Sequence, residues 1–207
     1  MSASALRTLD DLLRVVRALA YEFETDTVFV VGSQAILASM PDAPEAARES
    51  PEIDAFPANA KIWELNEAKR TRDGVQPIAS EHIDGLFGSE SPFHRTHGFY
   101  IDGVDETTAK LPSGWQSRAV RVQTEVAGRL VTGIAPAPED LIVSKLARLD
   151  ERDKRFVRAI HAMRPLDLDL VERRIHEAHL DPAIAERAIA YVGRLKSERS
   201  PSLPSDG

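Results

Sequence analysis

The segment TVFVV, Thr27 to Val31, is short, β-branched and apolar, the pattern of a strand covered on both faces. A strand of that kind needs a layer on each side, which directs the surrounding chain toward mixed α/β packing. Gly32 ends the strand, and Ser33 is expected to cap the helical run QAILAS. Met40 to Pro51, with three prolines and several acids, is expected to be an exposed loop before a second strand at EIDAF. Ahead of the first strand, Leu6, Leu9, Leu12, Leu13, Val16, Leu19, Ala20 and Phe23 recur at intervals of three and four, as in an amphipathic helix.

Further helices are expected around Ala60 to Arg72 and Ser80 to Leu86, followed by a loop at FGSESPFHRTHG. FYIDGV, RAVRVQTEV and RLVTGIA have the composition of strands, with LPSGW as a turn between the first two. From Pro138 the pattern becomes helical, over Pro138 to Leu149, Arg152 to Met163, Leu168 to His179 and Pro182 to Lys196, with breaks at Pro165 and Pro182. The fold class is therefore α+β: a mixed sheet with flanking helices over residues 1–136, a helical region over 137–197 packed on it, and a disordered Ser- and Pro-rich tail over 198–207.

The 207 residues suffice for one sizeable core, and a hydrophobic fraction of 43% against 29% charged is ordinary for a globular chain. The absence of cysteine excludes disulfides, zinc-thiolate sites, iron–sulfur clusters and thiol catalysis. A net charge of −7 gives no general attraction for nucleic acid, so any such contact needs a local basic face. The start MSASALRTLDD lacks the pattern of a signal peptide, and no apolar run is long enough to span a bilayer, so a cytoplasmic location without membrane contact is expected.

In EIDAF, residues alternate faces, so Glu52 and Asp54 share one side and Ile53 and Ala55 the other. Adjacent carboxylates raise each other's proton affinity unless a cation lies between them, and an oxygen-only donor pair suits magnesium better than zinc. The same alternation is also the ordinary pattern of a strand with one solvated face. Gly32-Ser33 at the mouth of the neighbouring strand adds a second signal, because glycine permits close approach and a hydroxyl with free amides suits phosphate.

The order of apolar strand, Gly-Ser, short helix, loop and acid-apolar-acid strand resembles the signature of nucleotidyltransferases with the DNA polymerase β-like fold. Within that superfamily the chain is similar to small bacterial proteins related to abortive-infection and toxin–antitoxin nucleotidyltransferases, through SPFHRTHGFYIDGV, LPSGWQSR and PEDLIVSKLARLDERDKRFV as well. The resemblance implies a nucleotidyltransferase-like sheet, with Gly32 and Ser33 at the phosphates of a nucleoside triphosphate and Glu52 and Asp54 holding Mg2+ or Mn2+. Two features depart from the signature: Glu52 stands where most active members have aspartate, and 18 residues lie between Ser33 and Glu52. Asp102 and Glu125 are equal candidates for a third carboxylate, and either suits a polar strand face.

In EDLIVSKLARLDERDKRFVRAI the apolar stripe leaves Lys145 and Arg148 on a shared face, the pattern of an exposed helix laced with ion pairs. The resemblance implies that Lys145 neutralises triphosphate charge with Asp153 as its partner acid, and that Arg148 and Arg152 extend the positive patch toward a polynucleotide. His94 and His97 could share a metal if their loop turned helically, and Phe93 and Tyr100 could offer stacking surfaces, whereas Trp63 and Trp115 suit packing.

Three readings follow. The first is a Mg2+-dependent nucleotidyltransferase moving a nucleotidyl group from a nucleoside triphosphate to an RNA or protein hydroxyl, with a cognate toxin or antitoxin as partner. The second is a catalytically degenerate binding or antitoxin module on the same fold. The third is an assembly protein, a homo-oligomer built through Leu168, Leu170, Val171, Ala183, Ile184, Ile189 and Val192.

Overall fold

Helix α1 (Leu9–Glu22) starts where Thr8 and Asp11 form a reciprocal capping box, the Thr8 hydroxyl accepting from the Asp11 amide and the Asp11 carboxylate from the Thr8 amide. The helix is one element of a computed structural model that describes residues 6–70 and 76–198. Strand β1 (Thr27–Val30) leads into a 3-10 helix (Ser33–Ala38), a single-turn α2 (Glu45–Arg48) and β2 (Glu52–Pro57). Helices α3 (Ala60–Arg70), α4 (Ala79–Phe87) and α5 (Pro92–His97) precede β3 (Tyr100–Gly103). A 3-10 turn (Trp115–Arg118) then leads to β4 (Val120–Val126) and β5 (Arg129–Ala135). Helices α6 (Pro138–Arg148), α7 (Glu151–Met163), α8 (Leu168–Glu177) and α9 (Pro182–Glu198) complete the order.

The sheet runs β3-β2-β1-β5-β4, with β1 antiparallel to β2 and parallel to β5, β2 parallel to β3, and β4 antiparallel to β5. This is the expected α+β class, a mixed five-stranded sheet with flanking helices followed by a helical region. Val28, Val30, Ile53 and Ala55 are buried on one face beneath α1, and Ile101 on the same face beneath α4. Gly133 lets α1 approach closely, since a Cβ there would stand 2.7 Å from Val16 Cγ2. Alternation and register put Phe29, Glu52, Asp54, Phe56, Tyr100 and Asp102 on the other face. Helix α6 buries Leu141, Ile142, Val143 and Leu146 and packs against α7, α8, α9 and the first 3-10 helix.

Several local expectations change. The QAILAS run is a 3-10 helix whose N-cap is Gly32, so the capping position has no side chain and Ser33 makes no cap hydrogen bond. Residues 40–51 are not an exposed loop, because Met40, Ala43 and Ala47 turn inward and α2 packs on α7. FGSESPFHRTHG contains α5, capped by Ser91, whose hydroxyl accepts the His94 amide, and closed by Gly98 in the left-handed region. LPSGW does turn, the Trp115 amide donating to the Pro112 carbonyl at 3.2 Å with Gly114 in the left-handed region, but it joins no hairpin, since β3 and β4 lie at opposite edges of the sheet. Leu168, Val171 and Val192, invoked above for assembly, are spent in the chain's own core. The expected helix end at Arg72 and the tail beyond residue 198 lie outside the described residues. Among the described residues, no helix is long and apolar enough to cross a membrane.

Asp140 at the start of α6 is 0% exposed and holds the helical region to the sheet. Arg118, just before β4, donates from Nε and Nη2 to its carboxylate at 2.9 Å each. Arg174 of α8 adds charge from Nη1 at 3.3 Å, without hydrogen-bond alignment. Removing the carboxylate leaves two guanidinium groups facing an apolar gap, so Asp140→Ala is expected to lower unfolding free energy by about 3–5 kcal/mol. Urea denaturation checks this, and a loss under about 1 kcal/mol would show that water reaches the network.

Candidate active site

The site begins with the contact between Gly32 and Asp54. Val31 donates its amide to the Asp54 carbonyl at 2.9 Å, carrying the β1–β2 ladder one residue past the strand. Gly32 then turns away at φ +64°, and a Cβ placed there would lie 1.8 Å from Asp54 Oδ2. The missing side chain is the space the carboxyl occupies.

Asp102 of β3 is in register with Asp54, Ile101 with Ile53 and Tyr100 with Glu52. Asp54 and Asp102 are thus direct cross-strand neighbours. Burial, followed by the charge of Asp102, pushes the Asp54 carboxyl up from 3.8 to about 6, against the attraction of Lys145. Asp102 is raised too, by burial and then by Asp84 and Glu52. Glu125 pairs with Leu130 at the far edge of the sheet, so the structure brings Asp102, and not Glu125, to the acid pair.

Lys145 reaches this face from α6. It is 8% exposed, its Nζ 3.6 Å from Asp153 Oδ1 and 5.4 Å from the Phe156 ring centre. Burial holds its ammonium below the ordinary lysine value, with Asp153 and Asp54 acting in the opposite direction. Asp153, 1% exposed, also accepts two hydrogen bonds from Arg148, at 2.7 and 2.8 Å. Its carboxylate is therefore committed to orienting Lys145 and Arg148. The αL residue Leu149 ends α6 and Asp150 caps α7, which turns Asp153 back beneath Lys145.

One cavity of about 660 Å3 is lined by Gly32, Ser33, Glu52, Asp54, Lys145 and Arg148 together. Asp153 lies behind it in a crevice shared with Ser33 and Lys145. Arg152 lines both spaces, and the outer wall comes from Thr108 to Lys110 and from Ala178 to Asp181. The outer wall carries no sequence pattern that marks it, since it belongs to two irregular connections. Asp102 had a visible signal in YID of β3, which repeats the alternation of EID in β2.

Other candidates go elsewhere. Phe93 packs against Phe87, His97 and Phe99, whereas the Tyr100 ring meets His94 at 5.3 Å and its hydroxyl donates to Glu52 Oε2 at 2.6 Å. Trp63 packs on Phe23 and His82, and Trp115 edges onto Phe29, as their packing role required. His94 and His97 do lie on a helix, but His94 Nδ1 accepts the Glu90 amide and His97 rests on Phe93. Among the described residues, no group of three or more acid or histidine side chains is arranged to hold a metal ion.

The donor set facing the cavity still fits magnesium. Glu52 and Asp54 present oxygen alone, and burial first, then the charge of Asp102, makes the ionised form of Asp54 costly, a cost a bound cation would offset. Magnesium commonly uses one or two carboxylates, with water and substrate phosphates completing its shell. This fits a site shared with a triphosphate, and not a closed protein cage.

Two measurements probe the acid pocket. With its value raised when folded, Asp54 binds more protons folded than unfolded between about pH 4 and 6, so it lowers stability as pH rises through that window and above it. Asp54→Asn is therefore expected to be about 1–3 kcal/mol more stable than the parent near pH 8 in chelator, with the gain gone below about pH 4. Equal gains at both pH values in urea titrations would exclude the charge explanation. Gly32→Ala is expected to lose about 1–3 kcal/mol through its left-handed φ and the collision with Asp54. Adding Asp54→Ala should restore part of that loss, and strict additivity in thermal melts would contradict the contact.

Sequence comparison agrees with this geometry. Residues 4–191 match the family described as "Nucleotidyltransferase of unknown function (DUF6036)". No curated protein and no solved structure matches the chain. With nearly its whole length covered, acids and glycine turn included, the chain belongs to this nucleotidyltransferase family.

Proposed function

We propose that the chain is a Mg2+-dependent nucleotidyltransferase that moves a nucleotidyl group from a nucleoside triphosphate to a hydroxyl on RNA or protein. The observation that carries this reading is the single cavity in which Glu52 and Asp54 face Gly32, Ser33, Lys145 and Arg148. Lys145 and Arg148 supply positive charge for the triphosphate, the first as a compact donor fixed by Asp153. Gly32 and Ser33 form the wall where a phosphate can approach the backbone. A divalent cation on Glu52 and Asp54 would neutralise charge at the transferring phosphate.

The acceptor oxygen attacks the α-phosphorus, pyrophosphate leaves with the electrons of the broken bond, and the hydroxyl proton passes to a carboxylate. Asp102, directly opposite Asp54 in the β2–β3 register, is the carboxylate we propose for that last role. Arg152 lines the same cavity beyond Arg148 and suits contact with an acidic acceptor. We place the protein with toxin–antitoxin or phage-defence systems on the resemblance of its SPFHRTHGFYIDGV and PEDLIVSKLARLDERDKRFV segments alone.

One observation favours a binding module without chemistry: Glu52 stands where most active members with this signature carry aspartate. Calorimetry with Mg2+ and each nucleoside triphosphate separates the readings, since no heat with any of them would leave only the module. For the enzyme, Asp54→Ala should abolish incorporation of labelled nucleotide while circular dichroism stays that of the parent. Lys145→Met is expected to lower kcat/KM on the order of 10²-fold. Transfer by folded Asp54→Ala at the parent rate would refute the assignment.

A further inference from the structure

Glu52 is held more tightly than a solvent-face glutamate needs to be. Its carboxylate accepts from the Tyr100 hydroxyl on Oε2 at 2.6 Å and from the Ser50 hydroxyl on Oε1 at 3.3 Å. Ser50, itself 2% exposed, accepts from Arg152 Nη2 at 2.7 Å, and Arg152 Nη1 stands 4.0 Å from Glu52 Oε1. Behind Tyr100, the His94 ring of α5 packs at 5.3 Å. The glutamate is thus braced from β3, from the segment before β2 and from α7, while still lining the cavity.

We propose that Tyr100 and Ser50 are positioning residues that fix the Glu52 carboxylate for cation binding, an inference that rests on the metal-dependent reading above. The physical need is conformational. Glutamate carries one more rotatable bond than aspartate, and an untethered carboxylate divides its time among rotamers that do not face the cavity. A carboxylate has about four lone-pair sites, so one hydroxyl on each oxygen leaves two free for a cation. A phenol donating to a charged acceptor is among the stronger hydrogen bonds and fixes direction. The register sets Tyr100 directly opposite residue 52, at a reach that suits a glutamate side chain. Glu52 and Tyr100 therefore work as a matched pair.

The test is calorimetric titration of the full chain with Mn2+ and inorganic triphosphate, which leaves base identity and turnover out of the readout. The parent should bind, and Asp54→Asn should not. Tyr100→Phe, which keeps the ring against His94, should raise the dissociation constant by about tenfold. Ser50→Ala should weaken binding in the same direction, and it serves as the decisive variant if Tyr100→Phe does not fold by circular dichroism. Glu52→Asp should weaken binding too, and Tyr100→Phe added to it should change nothing more, because the pair is already broken. Parental affinity in folded Tyr100→Phe and Ser50→Ala, or full additivity with Glu52→Asp, overturns the positioning role while leaving the metal site intact. Equal binding by the parent and Asp54→Asn overturns the metal reading and this inference with it.

Discussion

The carboxyl of Asp54 occupies the volume that a side chain at position 32 would fill, and the layout of the cavity depends on that contact. Because Asp54 lies against the backbone where β1 ends, the chain leaves the sheet there and turns into the 3-10 helix. The turn opens one side of β2 to Lys145 from the helical region. The same closeness that sets the geometry also creates the electrostatic problem. Asp54 is largely desolvated beside Asp102 and Glu52, with Lys145 the opposing charge. A protein interior tolerates such an arrangement when the strain serves binding or chemistry.

Helix α6 links that site to the fold. Its first turn carries Asp140, gripped by Arg118 and Arg174, and its later turns carry Lys145 and Arg148 above Asp153. Apolar packing of Leu141, Ile142, Val143 and Leu146 holds the stretch between them. The buried acid and the cavity-lining lysine thus ride on one rod, and displacing one end displaces the other.

Much of this was legible from residue order. The apolar run at 27–31, the alternation in EIDAF and the switch to helical periodicity at Pro138 are local signals, and local signals placed β1, β2 and α6 to within a residue or so. Strand order is not local. Asp102 and Glu125 sit on equally plausible strands, and only the parallel pairing of β3 with β2 separates them. The hydrogen bond from Arg152 to Ser50 spans 102 positions, and no periodicity foretells it. Residues 40–51 misled for another reason: prolines and acids suggested a loop, while Met40, Ala43 and Ala47 quietly supplied an inner face.

That segment has a mechanical consequence. The helical region is fastened to the sheet at Asp140 through Arg118, and again through Arg152 and the Ser50 segment. One fastening would act as a pivot, whereas two at separate points remove the rotation a pivot allows. The long span between Ser33 and Glu52 is then a strut more than slack chain, and the gap between the acids and Lys145 keeps its width as the walls of a fixed jaw do.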